Sequence, residues 1–184
     1  MSDPNELTHL DAEGLPRMVD VGGKAVTARR AVAVGRLQLD APALAALTAA
    51  SGPQPPSSSL QPPASSLKKG DPWPVVHLAA VQGVKRTPDL IPLAHPLIVD
   101  GVAVAHHLDA ATRQAWLRVE VRCTARTGVE MEALTGVSAG LLALYDMLKA
   151  VSHGLEVGPV RLLLKEGGRH GAVHLPWIDC PWEG

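Results

Sequence analysis

Aromatic side chains are scarce in this chain of 184 residues, which has no Phe, one Tyr and four Trp. Proteins that bind single-stranded nucleic acid without sequence preference stack bases on rows of aromatic rings, and few rings are available here. The formal net charge is only −1, so no global field would attract nucleic acid or a membrane surface. The composition therefore argues against both kinds of partner.

Cysteines and metal-ligand motifs are also sparse. Cys123 and Cys180 lie far apart with no CxxC spacing, which predicts neither a disulfide framework nor a thiolate zinc site. The eight histidines show no HExxH or other paired ligand spacing, so we expect no bound metal. The polar N-terminus lacks a signal-peptide pattern, and no uncharged apolar run reaches the ~18 residues of a membrane-spanning helix. These features predict a cytoplasmic protein.

Apolar residues are plentiful enough for one core, at 46% of the chain. We therefore predict a single domain over residues 1–184. The stretch 51–66 is rich in Pro and Ser and cannot bury enough surface to order itself, so we expect a mobile surface loop there. Residues 172–184 form a C-terminal extension to which the sequence pattern assigns no role.

The first half of the chain predicts a strand followed by two helices. Residues 25–39 contain strand formers whose apolar phase shifts at Gly35, which indicates a long strand with a bend. Residues 41–50 are strong helix formers. A second helix is predicted over 72–84, with Asp71 as its N-cap and a proline at its first position.

The second half predicts a hairpin and a long helix. Apolar and polar residues alternate over 102–123, which favours a hairpin with one solvated face. Helical spacing runs from residue 128 to about 153, with Met131 and Leu142 among the apolar positions and Gly154 as a left-handed cap.

A last strand over 155–164 completes the predicted order of strand, helices, hairpin, long helix and strand. This order favours an α+β fold of ferredoxin-like character, in which an antiparallel sheet carries its helices on one face.

The long predicted helix carries acidic and basic residues that could act in catalysis. At about 100° per residue, Glu132, Asp146 and Lys149 share a stripe of roughly 100°, whereas Glu130 points almost opposite Glu132. Such a stripe could supply acid and base groups to one site. An ordinary solvated face with an i, i+3 ion pair between Asp146 and Lys149 explains the same spacing.

A second candidate lies in the segment KRTPDLIPLAHPL, where Lys85 and Arg86 precede a histidine held between prolines. A rigidly placed imidazole titrates near neutrality, so His95 could serve as an acid, a base or a hydrogen-bond donor. A solvated cation pair and a structural loop histidine are the plainer interpretation.

Further cations occur near helix starts and glycines, where backbone N–H groups can approach an anion. Together they could hold a polyphosphate. These cations are Arg29, Lys69, Lys165 and Arg169, the last two flanking Gly167 and Gly168.

Six segments, in this order along the chain, resemble the hallmark segments of the cyclic pyranopterin monophosphate synthases of molybdenum-cofactor biosynthesis. The resemblance covers about residues 7–171. The segments are MVDVGGKAVTAR (18–29), KGDP (69–72), KRTPDLIPLAHPL (85–97), TGVEMEALTGVS (127–138), LYDMLKA (144–150) and VGPVRLLLKEGG (157–168).

The resemblance implies a phosphorus–oxygen lyase with a ferredoxin-like subunit. Such an enzyme converts 3′,8-cyclised dihydro-GTP to cyclic pyranopterin monophosphate and releases diphosphate. It would form a homohexamer, a trimer of dimers, with active sites at the dimer interface. It would require no cofactor, although Mg²⁺ could accompany the triphosphate.

The resemblance also assigns roles to residues. The catalytic positions of the family match Asp146, Lys69 and Lys149. As a hypothesis, the two lysines shuttle protons and Asp146 positions or activates Lys149. Either a lysine whose pKa is lowered by neighbouring cations or a carboxylate beside it can supply the proton transfers. Its substrate-binding positions match Leu93, Ala94, His95, Met131 and Glu132. As a hypothesis, Arg29, Lys85, Lys165 and Arg169 hold the phosphates.

The chain departs from the family pattern at several positions. Ala94 stands where Cys is usual, Arg30 where an acid is common, and Glu166, Arg169 and His170 replace Ser, Lys and Ser. Two other functions stay open at this point. One is a non-catalytic ferredoxin-like module that senses a nucleotide, and the other is a metal-dependent pterin or purine cyclohydrolase.

Overall fold

The computed structural model describes residues 9–51, 70–168 and 171–182. The predicted loop 51–66 lies, apart from its first residue, outside this part of the chain. The helices and strands are β1 (Thr27–Gln38), α1 (Ala41–Ala50), α2 (Trp73–Lys85), α3 (Thr87–Leu90), β2 (Gly101–Asp109), β3 (Gln114–Ala125), α4 (Glu130–Leu148), β4 (Glu156–Glu166) and β5 (Val173–His174).

The strands form one antiparallel sheet in the order β2-β3-β1-β4-β5. The first four strands and the helices between them follow the βαββαβ arrangement of ferredoxin-like folds, so the predicted fold class is confirmed. The predicted bend in β1 is confirmed as well, because its register against β4 shifts between Gly35 and Leu37. A Cβ at Gly35 would lie 2.7 Å from Cγ1 of Val137, so α4 approaches the strand closely there.

The predicted start of α2 is wrong by one residue. The helix begins at Trp73, and Pro72 occupies the cap position, where its carbonyl accepts the first helical hydrogen bond, from the N–H of Val76 at 3.0 Å. Asp71 still provides a partner for one N–H at the start of the helix, because its Oδ1 accepts a hydrogen bond of 3.1 Å from the backbone N–H of Trp73. The predicted α1 is confirmed, and Asp40 caps it.

Helices α4 and α2 pack side by side on one face of the sheet, α4 against β1, β3 and β4 and α2 against β2. Glycines allow the two helices to approach: a side chain at Gly136 would collide with Val84, and one at Gly140 would meet the backbone of Val76. These contacts show that α2 runs antiparallel to α4. By length and composition α4 could also cross a membrane, but half of the relevant stretch is buried inside the protein, as in a core helix.

The boundaries and buried face of α4 differ from the prediction. The helix ends at Leu148, and Gly154 does not take a positive φ because the chain has already left the helix. Met131 and Leu142 are 39% and 60% exposed. The buried face instead includes Ala133 and the interhelical glycines, because close packing against α2 and the sheet requires small residues.

The helix-free face of the sheet is not simply solvated, as was predicted for the hairpin. Trp116 and Glu120 are only 2% and 6% exposed. The C-terminal segment crosses this face after β5, and Trp177 and Trp182 pack against a small second core. The C-terminal extension is therefore an integral part of the fold.

Candidate active site

One end of α4 gathers a network of charged groups. Here the start of β1, the end of β3 and the end of β4 surround the first turn of the helix. The Lys165 ammonium pairs with the Glu130 carboxylate at 3.1 Å. The Arg29 guanidinium donates to the carbonyls of Ala125 and Arg126 at 3.4 and 3.2 Å. We call this region the N-terminal end of α4.

Glu132 is the most deeply buried acid at this end, with 4% of its surface exposed. Burial raises the pKa of its carboxyl group, and the nearby Glu130 carboxylate raises it further. Burial also raises the pKa of the neighbouring Cys123 thiol to about 11, helped by Asp100 and Glu132. Cys123 is therefore a poor nucleophile, whereas Glu132 can hold a proton closer to neutrality than an ordinary glutamate.

The loop that carries His95 also begins and ends here. Helix α3, which precedes the loop, packs against α4, and Asp100, which follows it, donates its N–H to the carbonyl of Arg122. Nε2 of His95 donates to the carbonyl of Val19 at 2.9 Å, which orients the ring. Lys85 ends α2 beside the N-terminal half of α4.

Of the predicted substrate-binding residues that the structure describes, Met131 and Glu132 lie on the first turn of α4. Arg29, Lys85 and Lys165 lie at the ends of β1, α2 and β4 that reach this part of the helix. Leu93, Ala94 and His95 lie on the loop between α3 and β2.

The C-terminal end of α4 carries the two predicted catalytic residues that the structure describes. The Lys149 ammonium and the Asp146 carboxylate form an ion pair of 2.6 Å, and their side chains are 54% and 55% exposed. Hydrogen bonding to Asp146 raises the pKa of Lys149, so of the two alternatives considered this lysine has a carboxylate beside it and no lowered pKa. Lys149 is a cation that can donate a proton or bind an anion.

The two ends are far apart within one chain. Glu132 and Asp146 are 14 positions apart on one helix, which at ~1.5 Å per residue is a rise of ~21 Å. The shared stripe predicted for Glu132, Asp146 and Lys149 does not form one cluster, because Glu132 is buried and the other two are exposed at the opposite end. Helical periodicity fixes the direction of a side chain around the axis but not its proximity along it.

Two predicted site residues, Lys69 and Arg169, lie outside the described residues. Gly70, which follows Lys69 in the sequence, precedes the start of α2. Because α2 runs antiparallel to α4, the start of α2 lies toward the C-terminal half of α4.

Two of the residues at which the chain departs from the family pattern, Arg30 and Glu166, form an ion pair. The Arg30 guanidinium donates to the Glu166 carboxylate at 3.2 Å on the helix-free face. Glu120 also accepts hydrogen bonds from Arg30, Arg118 and Arg122, which together lower its pKa to about 2. This network explains why Arg30 is tolerated where an acid is common. The sequence did not predict the network, because its members come from three different strands.

Within residues 9–51, 70–168 and 171–182 no group of three or more His, Cys, Asp or Glu residues is placed to hold a metal ion.

Fold and site together define a ferredoxin-like α+β protein in which Arg29 and Lys165 lie near the first turn of one long helix, and an exposed ion pair of Asp146 with Lys149 lies at the other end. The sequence profile of the MoaC family matches residues 18–168. The chain is 43% identical to the cyclic pyranopterin monophosphate synthase of Roseiflexus castenholzii, over 92% of this chain and 98% of the relative. Corresponding enzymes from Chloroflexus aurantiacus and Cereibacter sphaeroides are 44% and 45% identical, over 94% and 90% of this chain and 96% and 94% of the relatives. The chain belongs to the MoaC family.

Proposed function

We propose that this chain is a cyclic pyranopterin monophosphate synthase. It would convert 3′,8-cyclised dihydro-GTP to cyclic pyranopterin monophosphate and diphosphate in the cytoplasm. The observation that carries the proposal is that relatives of this activity align along nearly the whole chain. The ion pair between Asp146 and Lys149 supports it, since both residues match catalytic positions of the family.

The chemistry needs two kinds of group. Closing a cyclic phosphate with loss of diphosphate concentrates negative charge on the leaving group, and cations aimed at it stabilise the transition state. Lys165, Arg29 and Lys85 at the N-terminal end, together with Arg169, would supply that charge. Opening one ring of the purine and closing another requires proton transfers, for which the protonated Lys149, its partner Asp146 and Lys69 are suited. His95 and Glu132 would orient the base.

The ~21 Å between the two ends is the reason to place the site between two subunits. A two-fold axis that pairs α4 with a second, antiparallel copy would bring the C-terminal end of one chain to the N-terminal end of the other. The outer surfaces of α2 and α4 suit such a contact, because Leu78 and Leu142 are 72% and 60% exposed there. The proposed assembly is a homohexamer built from three such dimers.

Complementation between impaired variants tests the shared site. We would co-express Glu132→Gln and Asp146→Asn chains with different affinity tags and purify oligomers that carry both. At subsaturating substrate, each variant alone should turn over far more slowly than the wild type, the first through weaker binding and the second through slower proton transfer. Random pairing in dimers should restore about a quarter of the wild-type rate, since half the dimers are mixed and one of their two sites is intact. No restored activity in verified mixed dimers would place each complete site within one chain.

Diphosphate release from the cyclised GTP tests the activity itself. We expect turnover without a resident metal, with Mg²⁺ acting only as a companion of the triphosphate. Tight binding without turnover would favour the nucleotide-sensing module. Turnover that a chelator abolishes and Zn²⁺, but not Mg²⁺, restores would favour a metal-dependent cyclohydrolase.

A further inference from the structure

The C-terminal segment 171–182 packs firmly although it lies beyond the matched family region, which ends at residue 168. Trp177 is its anchor. The indole packs edge-on against Trp116 with ring centroids 5.1 Å apart. The guanidinium carbons of Arg36 and Arg161 lie 5.7 and 5.3 Å from its ring centroid. These contacts attach the segment to β3, β1 and β4.

The same segment borders a proposed phosphate-binding residue. In β5, Val173 pairs with Lys165 and His174 pairs with Leu164. The N–H of Leu175 then donates to the carbonyl of Leu163 at 2.7 Å. Without β5, the last part of β4 would be an unpaired edge strand.

The chain after β4 has little stiffness of its own. Gly167 and Gly168 follow with φ of +94° and +80°, a conformation that glycine adopts readily. The Lys165 side chain is long and is held by one ion pair, to Glu130. Its position therefore depends on how well the backbone of β4 is held on both sides, by β1 and by β5.

We propose that Trp177 is a positioning residue for Lys165. By anchoring the C-terminal segment under the sheet, it keeps β5 paired with the end of β4 and thereby holds the Lys165 ammonium toward the phosphates. This inference rests on the proposed function and adds to it a residue outside the matched family region.

Substitutions of two tryptophans on the same segment test the proposal. Trp177→Ala should raise KM for the cyclised GTP about tenfold and leave kcat almost unchanged, because phosphate binding and not proton transfer is affected. Trp177→Phe keeps a ring between the two arginines and should restore most of the affinity. Trp182→Ala is the matched control: it removes the other indole from the same small core, but one whose ring contacts His107 of β2, at 6.4 Å. It should therefore leave KM at the wild-type value even where it lowers Tm. A merely structural tryptophan would lower Tm without changing KM.

A double-mutant cycle with Lys165→Met tests whether Trp177 acts through Lys165. On the Lys165→Met background, Trp177→Ala should have no further effect on KM. An equal rise in KM on both backgrounds, or an unchanged KM for Lys165→Met in an active enzyme, would overturn the positioning role while the proposed function stands.

Hydrogen exchange gives a readout that needs no activity. The amides of residues 163–165 should exchange faster in Trp177→Ala than in Trp182→Ala or the wild type. Unchanged exchange would refute the proposal even if the wild type releases no diphosphate, an outcome that would independently refute the proposed function.

Discussion

The two ends of α4 are built differently. At the N-terminal end, Glu132 is buried and Glu130 is paired with Lys165, so the polar groups are held by several strands of the same chain. At the C-terminal end, the Asp146 and Lys149 side chains are more than half exposed, and they are paired with each other on the surface. One end is largely preorganised, and the other presents its charges outward.

This difference suggests a division of labour. Groups that bind a highly charged substrate benefit from being fixed before the substrate arrives. Groups that transfer protons must reach the reacting atoms, and an exposed pair can do so only if something else covers it. A second subunit that supplies its N-terminal end would exclude water and complete the site.

The largest effect is expected from Asp146→Asn, which retains the shape of the C-terminal end but removes its charge. We expect kcat to fall by about 10²–10⁴-fold, as for loss of a general acid or base, with little change in KM or Tm. Diphosphate release under saturating substrate measures it. The control is Asp109→Asn, another carboxylate, at the turn between β2 and β3. Normal turnover by Asp146→Asn would remove the catalytic role of the C-terminal end.

Lys165→Met, at the N-terminal end of α4, should change KM more than kcat, the reverse of what we expect for Asp146→Asn. Loss of one charge-assisted contact to a phosphate, worth about 2 kcal/mol, should raise KM about 30-fold with a smaller change in kcat. Steady-state kinetics on the same substrate separates the two parameters. If Lys165→Met lowered kcat as strongly as Asp146→Asn, the contrast between a binding end and a catalytic end would fail.

Glu120→Gln should weaken the support beneath the N-terminal end without touching substrate. The substitution leaves Arg30, Arg118 and Arg122 close together with no carboxylate between them, so we expect about 2 kcal/mol less stability and unchanged kcat. Chemical denaturation measures it, with Glu156→Gln, at the opposite end of the sheet, as a control.

The pH dependence of this effect has a defined sign. The pKa of Glu120 is lowered to about 2 in the folded protein, so its contribution is fully present above the ordinary glutamate pKa and is lost as pH falls toward 2. The wild type should therefore lose more stability than Glu120→Gln between about pH 4.5 and 2. Parallel curves in this range would show that the arginines do not stabilise the carboxylate.

The sequence predicts most of the helices and strands, but it does not predict which charged residues are buried or which distant residues are in contact. Local patterns predicted β1, the hairpin and α4, because periodicity and turn residues act over a few positions. The pairing of Lys165 with Glu130 and the packing of Trp177 join residues far apart in sequence, and no local pattern reports them. The predicted stripe on α4 considered direction around the helix axis alone, whereas the burial of Glu132 depends on β3 and could not be seen in the helix alone.

The smallest expected effect concerns a contact between α2 and the edge strand β2. His77 and His106 form a hydrogen bond of 2.8 Å between ring nitrogens, and His106 stacks on Trp73 with ring centroids 3.9 Å apart. Burial lowers the pKa of both histidines. The charge of His77 lowers the pKa of His106 further, and His107 acts in the same direction, whereas Asp71 raises the pKa of both histidines. The pair therefore favours its neutral form.

Lowered histidine pKa values mean that the unfolded chain binds protons more readily than the folded one. The stabilising contribution is complete above the ordinary histidine pKa of ~6.5 and declines as pH falls below it. We expect His106→Asn to lose under about 1 kcal/mol at pH 8 and to show a shallower decline than the wild type from pH 6.5 to 5. Denaturation curves across that range measure the free energy of unfolding at each pH. The control is His107→Asn, on the opposite face of the sheet. A slope as steep as in the wild type would mean that other groups set the acid sensitivity and that this contact does not tie α2 to the edge strand.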